Sequence, residues 1–167
     1  MSRTLAARTE YLSDSLPLKI AARAKKMIAD GIPVVNLSVG EPDFPTPSAI
    51  KQAGVDAIES DFTRYTPAAG IPQLRTAISD FLKSRQNLAY APEQIVVTVG
   101  GKQAIASTLL ALIDPGDEVI HPYPCYASYV DLIRLAGGVP VGLKTRQEDG
   151  FRILPERLRA LTSERSL

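Results

Sequence analysis

The spacing of apolar positions changes period several times along the chain. Residues 18–30 alternate at helical spacing and run into Gly31, a residue suited to the left-handed conformation that closes a helix. The stretch "VVNLSVG" (34–40) reads as a short strand. "EPDFPTP" (41–47) carries three prolines in seven residues and is expected to be an ordered loop. Thr46 followed by Pro47 resembles an N-cap and first helical position. Ile50, Ala53, Ala57 and Ile58 form the expected buried stripe behind it. After the loop "RYTPAAGIP", Pro72 opens a helix with Leu74, Ala77, Ile78, Phe81 and Leu82 on one face.

From residue 94 the rhythm becomes strand, helix, strand. Residues 96–99 form a run of buried-strand type, and Ile105, Leu109, Leu112 and Ile113 line one face of the following helix. "DPGD" (114–117) turns the chain into the strand "EVIHP". A helix from about Tyr126 closes on Gly137 and Gly138, "VPVGLKT" is a further strand, and Pro155 opens a last helix. Such alternation predicts an α/β protein with a largely parallel sheet covered by helices. The chain stops where the alternation asks for another strand, so the sequence reads as truncated.

Composition narrows the functions. Of the 167 residues 45% are hydrophobic, enough for a real core. Nineteen Lys and Arg against 18 Asp and Glu leave a net charge of +1, which argues against nucleic acid or an acidic membrane surface as partner. A single cysteine, Cys125, excludes an internal disulfide framework and suits a reducing compartment. No apolar run approaches the ~20 residues of a membrane span, and the N-terminal stretch has no uninterrupted apolar segment of signal-peptide type. A cytoplasmic protein is expected.

The chemistry concentrates at "VTVGGKQA" (97–104). A strand running through Gly100 and Gly101 into a helix presents unpaired N–H groups at the positive end of the helix dipole, with Lys102 adding a formal charge. Phosphate is the commonest occupant of such a place. Two glycines that merely permit tight packing of strand on helix are an equal alternative. Nucleotide versions fail on spacing. "GGKQAI" lacks the Gly-x-Gly-x-x-Gly pattern, Val96 stands where a P-loop needs its first glycine, and Gln103 replaces the P-loop hydroxyl. A phosphorylated cofactor other than a nucleotide remains.

"NLSVGEPDFPTP", "RYTPAAGIPQLR", "VTVGGKQA", "LIDPGDEVI" and "PCYASY" follow the order and approximate spacing of class I pyridoxal-phosphate aminotransferases, the aspartate aminotransferase-like group. The chain resembles the N-terminal part of such an enzyme. The resemblance implies a three-layer αβα domain with a mostly parallel sheet, incomplete here. Residues 1–45 would be an arm and small-domain segment, and residues 46–167 the first part of the large domain that binds pyridoxal 5'-phosphate. It implies that Gly100, Gly101 and Lys102 bind the cofactor phosphate and that Tyr126, where tryptophan is frequent, stacks on the pyridine ring. Gly40 matches the backbone that approaches the substrate α-carboxylate, and Tyr65 a tyrosine reaching the partner subunit's cofactor phosphate in a homodimer. Each has a plainer alternative: a core aromatic, a glycine ending a strand, a tyrosine in a turn-rich loop.

Lys102 does not match the Schiff-base lysine, which in that family lies downstream; a role in favouring acidic substrates is expected of it instead. The family's catalytic lysine, together with its Asn, Asp, Tyr and Arg partners, matches positions beyond Leu167. The intact form is therefore expected to move an amino group between an amino acid and a 2-oxo acid, and this chain alone to be inactive. The alternative is a non-catalytic phosphate-binding or dimerisation module that pairs with a full-length subunit. Ser48 and Lys51 match Ser-x-x-Lys by coincidence. His121 reads as structural, and one histidine with one cysteine makes no zinc site.

Overall fold

The structure, a computed structural model, describes residues 5–12, 16–38 and 40–166. The chain divides into two compact units, Asp14–Pro92 and Met1–Ser13 with Glu93–Leu167.

The Asp14–Pro92 unit carries three helices, α1 (Leu16–Ala29), α2 (Ser48–Glu59) and α3 (Pro72–Gln86). Helix α1 ends as the glycine predicts. Gly31 takes φ +77, its N–H donates to Ile28 O at 3.1 Å, and that of Ile32 to Met27 O at 3.0 Å. This pair of bonds is the Schellman closure, which satisfies carbonyls that a helix end otherwise leaves bare. Pro72 occupies the first turn of α3, where its missing N–H costs nothing, and Asn87 closes the helix at φ 55. The chain after α3 is tied back by Arg75 Nε donating to Pro92 O at 2.8 Å and Ser79 Oγ to Tyr90 O at 2.5 Å.

Several expectations fail in this unit. Residues 34–38 form no strand, because a strand needs a ladder and no described segment pairs with them. Val39 lies outside the described residues. Pro47, not Thr46, is the N-cap of α2; no side chain caps it, and its carbonyl accepts from Ile50 and Lys51. The stripe expected to be buried on α2 is open: Ile50, Ala53 and Ile58 are exposed and Ala57 half-buried. Of the stripe expected on α3 only Ile78 and Leu82 are half-buried, while Leu74, Ala77 and Phe81 are exposed. The apolar period correctly marks a helix in both cases, but period says nothing about whether a covering surface is present.

The second unit runs α4 (Gly100–Leu112), β1 (Glu118–Tyr123), α5 (Ser128–Leu135), β2 (Val139–Lys144) and α6 (Pro155–Leu161). Strands β1 and β2 pair in parallel, from Glu118 opposite Val139 to Tyr123 opposite Lys144, with α5 as the crossover. This is the predicted β-α-β unit. The "DPGD" turn is closed from both sides: Asp117 N–H donates to Asp114 O at 3.1 Å, and Asp114 N–H to Asp117 Oδ2 at 2.8 Å. Helix α5 begins two residues later than expected and closes by a second Schellman pair, Gly137 N–H to Arg134 O and Gly138 N–H to Ile133 O, both 3.0 Å. Ile133 and Leu143 form the buried centre. Thr145, also buried, donates through both N–H and Oγ1 to Tyr123 O.

Residues 96–99 are again no strand, and Val96 and Val99 are exposed. On α4, Ile105 and Leu109 are half-buried as expected, as is Ile113 just past its end, but Leu112 is exposed. The other edge of β1 meets residue 166 in a single parallel bridge to Glu118. Glu118 holds that segment with its N–H on Arg165 O (2.8 Å) and its carboxylate on Ser163 Oγ (2.7 Å) and Arg165 Nη2 (2.8 Å).

Candidate functional site

The turn into α4 is built around one residue that must be glycine. Gly100 sits at φ +79, a conformation that costs an L-residue roughly 1–2 kcal/mol. Its N–H donates to Thr98 O at 2.9 Å, and Thr98 Oγ1 donates back to Gly100 O at 3.1 Å. Gly101 has ordinary φ, and a Cβ built there would meet nothing within 4 Å. No contact inside the protein therefore requires Gly101, and the space in front of it is open.

The helix cap is Val99, whose side chain has no acceptor. In most helices the N-cap oxygen takes the N–H of the second or third residue. Here the N–H groups of Gly101 and Lys102 have no acceptor among the described residues, and they lie at the positive end of α4. Val99's own N–H is taken by Gln103 Oε1 at 2.6 Å.

Lys102 extends from the same turn, and its ammonium lies 5.2 Å from the ring centroid of Tyr126. Tyr126 is 55% exposed and meets Tyr129 edge-on, with centroids 5.7 Å apart and planes at 74°. Hydrogen bonding from Lys102, then from Ser128, and then the Lys102 charge hold the Tyr126 hydroxyl below the ordinary tyrosine range. Next to it, Cys125 Sγ lies 3.5 Å from His121 Nδ1, which is also 3.1 Å from Pro122 O. No group of three or more metal-ligating side chains occurs among the described residues.

Four of the residues singled out from the sequence thus fall within one neighbourhood: Gly100, Gly101, Lys102 and Tyr126. Gly40 and Tyr65 belong to the other unit. Gly40 follows an Asx turn in which Asn36 Oδ1 accepts from Ser38 N–H (3.1 Å) and Oγ (2.6 Å), and a Cβ on Gly40 would meet nothing within 4 Å. Tyr65 projects fully exposed from the loop between α2 and α3, beside Thr63 and Arg64. Sequence reasoning missed Gln103 and Ser128. For Gln103 a signal was present: an apolar cap followed four residues later by a side chain able to reach back to it.

Two free amides, an ammonium group and an accessible aromatic face make a site suited to an anion joined to a flat ring. The donor set fits the phosphate and pyridine of pyridoxal phosphate: amides and ammonium for the one, the Tyr126 face for the other. The class so defined is an α/β protein with a glycine turn and two uncapped amides at a helix N-terminus. The chain belongs to the aminotransferase class I and II family, whose sequence profile matches residues 32–166.

Its relatives include proteins named as aspartate and aspartate/prephenate aminotransferases. The probable aspartate/prephenate aminotransferase of Thermus aquaticus is 42% identical over 164 residues, covering 98% of this chain and 43% of that protein. The aspartate aminotransferase of Streptomyces avermitilis is 44% identical over 165 residues, 97% of this chain and 40% of its own length. Among solved structures, the aspartate aminotransferase from Thermus thermophilus with maleate superposes with a TM-score of 0.93 at 40% identity, over 99% of this chain and 43% of that one. The chain thus spans about two-fifths of the length of the relatives it matches. Among the described residues no helix is long and apolar enough to cross a membrane.

Proposed function

We propose that this chain is the N-terminal portion of a pyridoxal-phosphate-dependent aminotransferase that moves an amino group between an acidic amino acid and a 2-oxo acid. The observation that carries the reading is the pair of acceptor-free amides at Gly101 and Lys102 beside the exposed face of Tyr126. In it, Gly100 shapes the turn, Gly101 and Lys102 bind phosphate through their N–H groups, and Tyr126 stacks on the ring. When bound, the cofactor supplies the aldehyde and the electron sink that amino-group transfer needs. Gly40 admits the substrate α-carboxylate, since a side chain there would fill the open space in front of its backbone.

Preference for a second carboxylate falls to Lys102, a flexible cation on the same turn. That the Thermus thermophilus relative was solved with maleate, a dicarboxylate, supports it. Tyr65, wholly exposed on its loop, reaches a partner subunit in a homodimer. The division of the intact protein near residue 45, a cytoplasmic location and the inactivity of this chain alone belong to the same reading. The exposure of Tyr65 equally suits the second reading, a non-catalytic module that docks on a full-length subunit.

The deciding experiment measures amino transfer from aspartate and from a neutral amino acid, using both the protein as its own gene encodes it and the 167-residue chain. Transfer by the encoded protein, none by the chain, and a loss of aspartate preference in Lys102→Ala support the proposal. No transfer by the encoded protein sinks it, and an unchanged preference in Lys102→Ala removes the role of the lysine.

A further inference from the structure

The turn before α4 contains a bond like one half of a capping box, made from one position further along the helix. In the complete motif the cap side chain takes an N–H from the first helical turn, while a Glu or Gln within that turn reaches back to the cap's own N–H. Here the cap is Val99, so the first bond is missing. A counterpart of the second is present and short: Val99 N–H donates to Oε1 of Gln103, the fourth helical residue, at 2.6 Å. Gly100 N–H is spent on Thr98 O. Of the successive donors through the turn, those of Val99 and Gly100 are consumed inside the protein, and those of Gly101 and Lys102 are left for something outside it.

From this we infer that Gln103 is a positioning residue for the anion cradle: by holding Val99 N–H it pins the turn in the form that leaves the Gly101 and Lys102 N–H groups uncapped. This rests on the phosphate reading above. A serine or aspartate at position 99 would stabilise the helix better, but it would also take one of the two donors. Gln103 restrains the same turn without that competition. A carboxamide can do this without bringing charge toward an anion, whereas a glutamate would oppose it. The Val99–Gln103 bond is exposed, so it shifts geometry more than stability.

The test uses the encoded protein and compares binding of pyridoxal phosphate with binding of pyridoxal, which lacks the phosphate. The contrast isolates the phosphate contribution. Gln103→Met, similar in length but without the acceptor, is expected to lower the ratio of the two affinities about fivefold to tenfold, the loss of roughly one hydrogen bond's worth of alignment. It is also expected to expose the Val99 amide to hydrogen exchange while the rest of α4 stays protected. Should Gln103→Met not fold, Gln103→Asn, one methylene too short to reach, carries the same expectation.

Gly101→Val serves as the control on the underlying reading and should abolish the phosphate preference. If Gly101→Val abolishes it and the Gln103 variants leave it unchanged, the inference about Gln103 fails and the phosphate site stands. If Gly101→Val also leaves it unchanged, both fall.

Discussion

The ammonium of Lys102 rests 5.2 Å from the centre of the Tyr126 ring, so the cation on the glycine turn and the aromatic group after β1 act on each other directly. Hydrogen bonding from Lys102 and Ser128, reinforced by the Lys102 charge, lowers the pKa of the Tyr126 phenol. Replacing Lys102 by methionine should move that pKa back toward the ordinary value of about 10. Ultraviolet titration of the protein minus its Tyr126→Phe variant isolates the one phenol. The sign for stability follows: between the lowered folded pKa and about 10 the unfolded chain holds the extra proton, so this group favours the folded state increasingly as pH rises through that window. A phenol unmoved by Lys102→Met would contradict the coupling.

Gly101 separates stability from binding. Its φ is ordinary and nothing lies within 4 Å of a Cβ placed there. Gly101→Ala should therefore leave the fold intact or stabilise it, by up to about 1 kcal/mol from helix propensity. The same methyl group stands before the two free amides, so affinity for pyridoxal phosphate should fall. Paired denaturation and binding curves check both halves; a loss of stability matching the loss of affinity would show that the glycine serves packing.

Gly138 is the opposite case. It is buried behind α5, and a Cβ there would come within 3.1 Å of Ile113 Cγ2, 3.2 Å of Ile133 Cγ2 and 3.4 Å of Asp117 O. Both isoleucine methyl groups would have to give by a few tenths of an ångström, so Gly138→Ala should destabilise by about 1–3 kcal/mol. Urea unfolding measures it, and a change within error would mean that the turn between α5 and β2 yields more easily than its packing suggests.

Asp149 and Arg157 join the short 3-10 turn at Gln147–Asp149 to α6 through an ion pair of 2.9 Å, each side chain about three-quarters buried. Arg157 Nη1 and Asp149 Oδ2 are shielded from water without a well-aligned hydrogen bond, so removing either partner strands the other. Arg157→Met should cost about 1–3 kcal/mol. The double variant with Asp149→Asn should cost less than the two single changes added together, by about 1 kcal/mol or more. Strict additivity in the cycle would show that the pair carries no net coupling.

Several local rules were enough for the sequence alone to determine the structure, although the cap of α2 fell one residue from Thr46, at Pro47. Gly31 and Gly137 closed α1 and α5 because left-handed closure needs only one permissive residue and the carbonyls behind it. Pro72 opened α3 because a proline loses nothing in a first turn. The β1-α5-β2 unit followed from apolar runs separated by one helix. The glycine turn into α4, too, was legible, with Gly100 in the left-handed conformation at φ +79.

Tertiary structure decided what depends on a partner. Residues 34–38 and 96–99 have strand-like patterns without strand structure, because a ladder requires a second extended segment at hydrogen-bonding distance and no described segment pairs with them. The apolar stripes of α2 and α3 are helical but largely uncovered for the same reason. The approach of Lys102 to Tyr126 rests on a distance that residue spacing does not contain. Period and propensity are properties of a segment, whereas pairing, burial and the meeting of two side chains are properties of the space between segments.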